Sequence, residues 1–431
     1  MSDAEFPGGH TQLLDHLKAL GGEIPAEFAH LVKASDIRRW EGKKRAEDFF
    51  LAPASDIYVP PAAYRDSKDL NQVLRYVARH GANDIYFGDG SPVEARVHGR
   101  LYKLTDRTLT ADEVRQLMVA LYGDSTSVIT SVLNGERKDC SYQCPGETSE
   151  EFSRWRVFMS LRSVTGGLGF RIVCRQIAAD PPTCAQVFMP QDIIDSVESL
   201  HRGIFLMTGP TGSGKSTSLA ALLRHRLESP EFSDHLITAE WPIEYVYERI
   251  IKPYSVVTQW EVPRMMPSFR DAVVAALRAD PDLFLLGEMR DRATMEAGLQ
   301  VALTGHGMLS TMHTNSVVQT VTRILKEFNE GEREAIQYDL VDNLHMIVSQ
   351  MLKPSPDGKR VALRERLAID GSSKERLRTA KNLAQALRKE IESSGRLLVE
   401  EARDLFKEGR LAKDELEKIE HMDRMERGGM L

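Results

Sequence analysis

Cysteine is scarce. Four thiols, Cys140, Cys144, Cys174 and Cys184, stand in 431 residues. So few in so long a chain fit a reducing compartment rather than a disulfide framework. Cys140 and Cys144 form a C-x-x-x-C pair, but no second pair stands at zinc spacing, which favours structural thiols over metal ligands. Long apolar runs are missing too. Nowhere do about 18 apolar residues follow one another, so no membrane-spanning helix is expected and any membrane role must be peripheral. The first residues carry Asp3 and Glu5 and lack an apolar core, so no signal peptide is expected. Positive charge is not in excess: the formal net charge is −7. That argues against a nucleic-acid footprint across the surface and against direct nucleic-acid binding as the main role. No repeat appears at solenoid spacing.

What is present is ordinary in bulk and specific in detail. Hydrophobic residues make up 42% and charged residues 28%, the balance of a soluble globular protein. At about 150 residues per domain, two or three domains are expected. Residues 1–65 read as an extension and linker, with helical spacing at Leu13, Leu14, Leu17 and Leu20 and a Pro-rich stretch from Pro53 to Pro61. Residues 66–180 read as an α+β domain. Leu70, Val73, Leu74 and Val77 trace one helical face, and strands are expected at 84–87, 95–98, 155–161 and 169–174. Residues 185–369 alternate short apolar runs (204–207, 236–237, 283–286, 308–309) with helical patterns, which predicts a parallel sheet flanked by helices. Residues 370–431 read as a charged helical module, with Gly409 as a helix C-cap.

The run Gly209-Pro210-Thr211-Gly212-Ser213-Gly214-Lys215-Ser216-Thr217 follows the apolar stretch 203–207 and fits G-x-x-x-x-G-K-[ST]. A strand entering a Gly-rich turn and then a helix is the context a phosphate site needs. The glycines let backbone N–H groups aim inward, and a helix expected over 216–227 adds its dipole. Lys215 is expected to reach the β- and γ-phosphates, and Ser216 to hold Mg²⁺. Three further segments follow in order. In Thr238 to Glu244, the carboxylates of Glu240 and Glu244 lie four apart; taken alone, solvated loop carboxylates are the default, but hydrolysis needs a group that orients water. In Leu283 to Asp291, an apolar strand ends in Gly287-Glu288, where a carboxylate can meet the Mg²⁺ hydration shell. In Thr304 to Asn315, His306 and His313 flank a short apolar strand. Either can be an ordinary buried histidine, but His313 should emerge where a γ-phosphate sensor belongs.

Together these four segments resemble the type II/IV secretion traffic ATPases, and within them the PilT-like and DotB-like branch. The order and spacing match, as do Val348 to Leu352 after the His box. Gly81 to Ile85 with Arg96 to Gly99 resembles the start of the family's N-terminal PAS-like domain. The resemblance implies a PAS-like α+β domain, a RecA-like P-loop ATPase domain with a parallel sheet, and a C-terminal helical appendage. It further implies that Glu244 polarises the attacking water, Glu288 assists at Mg²⁺ and His313 contacts the γ-phosphate. Arg278 also matches. Arginines of the N-terminal domain reach nucleotide in such hexamers; Arg154, Arg156 and Arg171 stand in the corresponding strands.

Two departures bear on the branch. The family's Glu-Asp-Pro is here Glu240-Trp241-Pro242. The retraction enzymes' Ala-Ile-Arg-Asn-Leu is missing, and Gly371 to Leu377 stands near its place. The expectation is therefore a cytoplasmic homohexamer, peripheral to the inner membrane, that hydrolyses Mg-ATP for a type IVB-like secretion or conjugative-transfer complex and its coupling components. A pilus-retraction motor is the alternative within the family, and a RecA-like nucleic-acid motor the alternative outside it. A hinge is expected near residues 178–183, where Asp180-Pro181-Pro182 limits freedom.

Overall fold

The computed structural model describes residues 58–427 except 98–99, 149–150 and 179. The leucine spacing at 13–20, most of the 53–61 stretch, His98 and Gly99 lie outside the described residues. The chain divides into two compact units, one ending at Ile177 and the other beginning at Ala178.

Among the described residues the first unit opens with α1 (Ser67–Arg79), capped by the Asp66 carboxylate, which accepts from the amides of Lys68 and Asp69. Leu70, Val73, Leu74 and Val77 are its buried face, as their spacing predicts. There follow β1 (Ala82–Gly88), β2 (Glu94–Val97), β3 (Arg100–Lys103), α2 (Ala111–Leu121), α3 (Ser127–Leu133), β4 (Lys138–Pro145), β5 (Phe152–Val164) and β6 (Gly167–Ile177). The six strands form one sheet in the order β3-β2-β1-β6-β5-β4, and every pairing is antiparallel. The predicted segments 84–87, 155–161 and 169–174 fall within β1, β5 and β6, and residues 95–97 of the segment 95–98 fall within β2. Cys140 and Cys144 point from β4 into the core beside Cys174, all as free thiols. Burial pushes the Cys144 thiol up to about 11.

The second unit contains α4 (Gln191–Glu198), β7 (Gly203–Thr208), α5 (Lys215–Glu228), β8 (His235–Glu240), β9 (Val256–Glu261), α6 (Phe269–Ala276), β10 (Leu283–Leu286), α7 (Arg292–Leu303), β11 (Gly307–Met312), α8 (Val317–Lys326), α9 (Glu330–Asn343), β12 (Leu344–Pro354) and β13 (Arg360–Ala368). Four more helices follow: α10 (Gly371–Arg378), α11 (Leu383–Ser394), α12 (Leu398–Lys407) and α13 (Lys413–Arg427). The sheet order is β13-β12-β7-β11-β10-β8-β9. All neighbours run parallel except the edge pair β12–β13. The fold is thus mixed α/β, as expected. β7 is buried at every residue. Ile204 and Leu206 face one core, Phe205 and Met207 the other, the alternation of a strand covered on both sides.

The C-terminal helices pack onto the first of these cores. Leu383, Leu387, Ile391, Ala402 and Leu405 join Ile204 and Phe284 in it. Gly409 follows α12 at φ 71°, in the left-handed region a C-terminal cap uses. Among the described residues, no helix is long and apolar enough to cross a membrane.

Candidate nucleotide site

β7 lies between β11 and β12, so residues 209–214 emerge at the carboxyl edge of the sheet and feed directly into α5. Two glycines are required here by geometry. Gly209 has φ 146°, and a Cβ on it would stand 2.1 Å from the Gln350 carbonyl. Gly214 caps α5 at φ 82°, left-handed. The Lys215 ammonium turns back over the loop, donating to the carbonyls of Gly209 (2.8 Å) and Pro210 (3.1 Å). Burial lowers its pKa, while the charges of Glu288 and Glu244 pull the other way. The Ser213 hydroxyl is buried with no hydrogen-bond partner among the described residues. A curled backbone, an ammonium resting on the loop's own carbonyls and an unpaired buried hydroxyl fit a polyphosphate. Ser216 and Thr217 follow in the first turn of α5, and the Thr217 hydroxyl meets that of Tyr245 at 3.0 Å.

The two carboxylates of the acidic segment separate. Glu240 ends β8 and is buried; it accepts from the Thr238 hydroxyl (2.7 Å), the Glu244 amide (3.4 Å) and the Gln259 amide (3.5 Å). Burial lifts its carboxyl to about 7 against those hydrogen bonds. Glu244 lies half-buried, one turn of loop further on, where its charge acts on Lys215. Gln259 on β9 steadies the loop by donating to the Tyr245 carbonyl (2.9 Å) and accepting from the Tyr247 amide (3.1 Å).

At the end of β10 the Gly287 amide donates to the Ala239 carbonyl at 2.8 Å. A Cβ on Gly287 would stand 3.1 Å from that carbonyl and 3.2 Å from the Glu240 Cα, so a small residue lets the two strand ends close together. Glu288 reaches His313 Nε2 with one oxygen (3.1 Å) and Arg290 Nε with the other (2.7 Å). His313 Nδ1 lies 3.4 Å from Lys215 Nζ and 3.5 Å from the Thr211 hydroxyl. An ammonium only donates, so the Nδ1 lone pair faces Lys215 and Nε2–H donates to Glu288. The fold thus gathers Thr211, Lys215, Glu288 and His313 from three strand ends. His306 is elsewhere: it precedes β11, at the amino edge of the sheet, and bonds the Thr304 hydroxyl at 3.1 Å. Arg278 is exposed on the turn after α6.

The three arginines of the first unit have local surroundings of their own. Arg156 on β5 makes a two-pronged pair with Asp139 on β4 (3.1 and 2.8 Å). Arg154 is buried. Arg171 on β6 sits over the Tyr86 ring at 5.2 Å, and burial together with neighbouring Arg162 lowers its pKa.

Sequence reasoning missed how the loop is held from behind. Gln350 on β12 donates to the Ser213 carbonyl (2.7 Å) and accepts from the Ser218 hydroxyl (2.8 Å) and Arg364 Nε (2.8 Å). Arg364 on β13 is 2% exposed and donates also to the carbonyls of Phe188 and Val187, both at 3.0 Å. Gln350 stands in the matching segment Val348 to Leu352, which gave it no role, and Arg364 shares its strand with the charged residues Arg360, Glu365 and Arg366, so nothing marked it out.

Residues 184–427 match the type II/IV secretion system protein family. The chain belongs to that family. It is 33% identical over 297 residues to the type IV pilus retraction ATPase PilT of Pseudomonas aeruginosa, spanning 69% of this chain and 81% of PilT. Among solved structures, the ATPase DotB of Legionella pneumophila superposes with a TM-score of 0.79 at 33% identity, over 84% of this chain and 98% of DotB. A pilus retraction motor PilT with bound ADP gives a TM-score of 0.68 at 29% identity, over 81% of this chain and 96% of that one. These relatives are ATPases, and this chain is an ATPase of the same family.

Proposed function

We propose that this traffic ATPase hydrolyses Mg-ATP as a homohexamer and powers a type IVB-like secretion or conjugative-transfer complex. The observation that carries the catalytic part is the meeting of Thr211, Lys215, Glu288 and His313 at the mouth of the loop. Residues 209–217 would cradle the phosphates, with Lys215 as the point charge on the β- and γ-groups. Ser216 and Glu288 supply oxygen donors of the kind Mg²⁺ takes alongside phosphate and water. When bound, Mg²⁺ neutralises charge on the phosphate oxygens. Glu244 orients and deprotonates the water, and His313 senses the γ-phosphate across Lys215.

The assembly part rests on the family resemblance. Arg156 and Arg171 belong to the first unit and the loop to the second, and as in the hexamers this sequence resembles, a neighbouring subunit would donate the finger arginine. The working division is an extension (1–65), a PAS-like domain (66–180), a RecA-like domain (185–369) and a helical module (370–431), with nucleotide-driven rotation about residues 178–183. The likeness to DotB over nearly that protein's whole length supports the secretion branch; identity to PilT supports a pilus-retraction motor as the second reading. The location proposed is the cytoplasmic side of the inner membrane, in contact with the transport complex and its coupling components. Mixing Lys215→Ala with Arg171→Ala or Arg156→Ala tests the ring: each is expected to be inactive alone, and some mixed interfaces regain an intact loop beside an intact arginine. No recovery despite proven subunit exchange counts against the trans finger, and an active monomer by light scattering counts against the ring. Stimulation of turnover by single-stranded DNA would instead favour a nucleic-acid motor.

A further inference from the structure

Both oxygens of Glu288 are occupied, one by His313 and one by Arg290. Arg290 is two residues beyond Glu288, in the segment between β10 and α7. Its backbone amide donates to the Thr294 hydroxyl at 3.1 Å, but its side chain is about half exposed (50%). A guanidinium so placed would exchange a carboxylate for water unless something held it. The Trp241 ring does: Arg290 Cζ lies 5.4 Å from its centroid, and the indole is 38% exposed at the exit of β8.

The two contacts use different parts of the cation. The Trp241 ring meets the cation at Cζ, and the in-plane Nε–H is directed at Glu288. A carboxylate at position 241 would compete for those same in-plane donors and draw Arg290 away. We infer that Trp241 and Arg290 are a positioning pair for Glu288. The indole seats the guanidinium, the guanidinium orients the carboxylate, and the line continues through His313 to Lys215. This rests on the ATPase reading of the site, and it concerns how Glu288 is aimed rather than whether it acts.

The test is steady-state ATP turnover of the full chain at varied ATP and Mg²⁺, with melting temperatures as a fold control. Arg290→Ala is expected to lower kcat about tenfold, the scale on which lost outer-shell partners act. It should also raise the Mg²⁺ concentration for half-maximal rate, with KM for ATP nearly unchanged. Trp241→Ala should cost about threefold, and the double variant no more than Arg290→Ala alone, because the pair acts through one carboxylate. Trp241→Phe should recover most of the loss of Trp241→Ala, and Trp241→Asp should be worse than Trp241→Ala. Independent, multiplying losses in the double variant would overturn the pair, as would a Trp241→Asp enzyme as active as wild type. If Arg290→Ala fails to fold, Trp241→Phe and Trp241→Asp decide by the same criteria. Turnover that survives Lys215→Ala removes the site reading and the pair with it. Turnover lost in Lys215→Ala but untouched in Arg290→Ala removes the pair alone.

Discussion

Replacing Glu240 by Gln deletes one ionisable group from beneath the acidic loop and keeps its shape. The side chain is buried, at 9% exposure, and burial lifts its carboxyl from 4.5 to about 7. A carboxyl whose folded pKa lies above its unfolded value supports folding while neutral and loses that contribution as pH rises through the folded value. The loss therefore falls between pH 4.5 and about pH 7. At about 1.4 kcal/mol per pH unit the whole shift is on the order of 3 kcal/mol, of which about 2–3 kcal/mol falls between pH 5 and pH 8. Gln cannot ionise, so its stability omits this loss. A unit of this size moves by about 2–4 °C in Tm per kcal/mol. The wild type should thus lose about 5–10 °C relative to Glu240→Gln between pH 5 and pH 8. Calorimetric scans of both proteins at pH 5, 6, 7 and 8, following the transition of the ATPase unit, read this directly. Parallel decline of the two curves would refute the claim that Glu240 ionises at a cost inside the fold.

Glu244→Gln should bind a fluorescent ATP analogue as wild type does and lose hydrolysis, because the amide keeps the shape but cannot accept a proton; normal hydrolysis by it together with a dead Glu240→Gln would move the base to Glu240. Gly209→Ala should abolish nucleotide binding and destabilise by about 1–3 kcal/mol, since its Cβ would meet the Gln350 carbonyl at 2.1 Å; urea unfolding and analogue binding check both. Arg364→Leu should destabilise by at least about 2 kcal/mol, because it orphans the carbonyls of Val187 and Phe188 and one bond to Gln350. It should also weaken nucleotide binding through Ser213, and unchanged affinity in a folded Arg364→Leu would show that the loop does not need this support.

Sequence alone determined the features that depend on local chemistry. A buried parallel strand is apolar throughout, so β7, β10 and the centres of β8 and β11 were legible as short apolar runs. A loop that must turn left-handed and approach another backbone requires glycine, so Gly209 and Gly214 announced the phosphate site before any fold was known. The amphipathic face of α1 was legible for the same reason. α2 carried a comparable signal in Val114, Leu117, Met118 and Leu121 and was not anticipated. β4 and β9 escaped because polar residues alternate through them or line an exposed edge. The tertiary structure decided what depends on distance across the chain. It buried Glu240 and left Glu244 near Lys215, although both are carboxylates four residues apart. It sent His306 and His313 to opposite edges of the sheet, because one precedes a strand and the other follows it. It also brought Gln350 and Arg364 from more than 130 residues downstream to brace the loop, and seated Arg290 on Trp241. Periodicity and motif spacing encode neighbours along the chain; burial and charge pairing depend on neighbours in space, and those exist only once the sheet order is set.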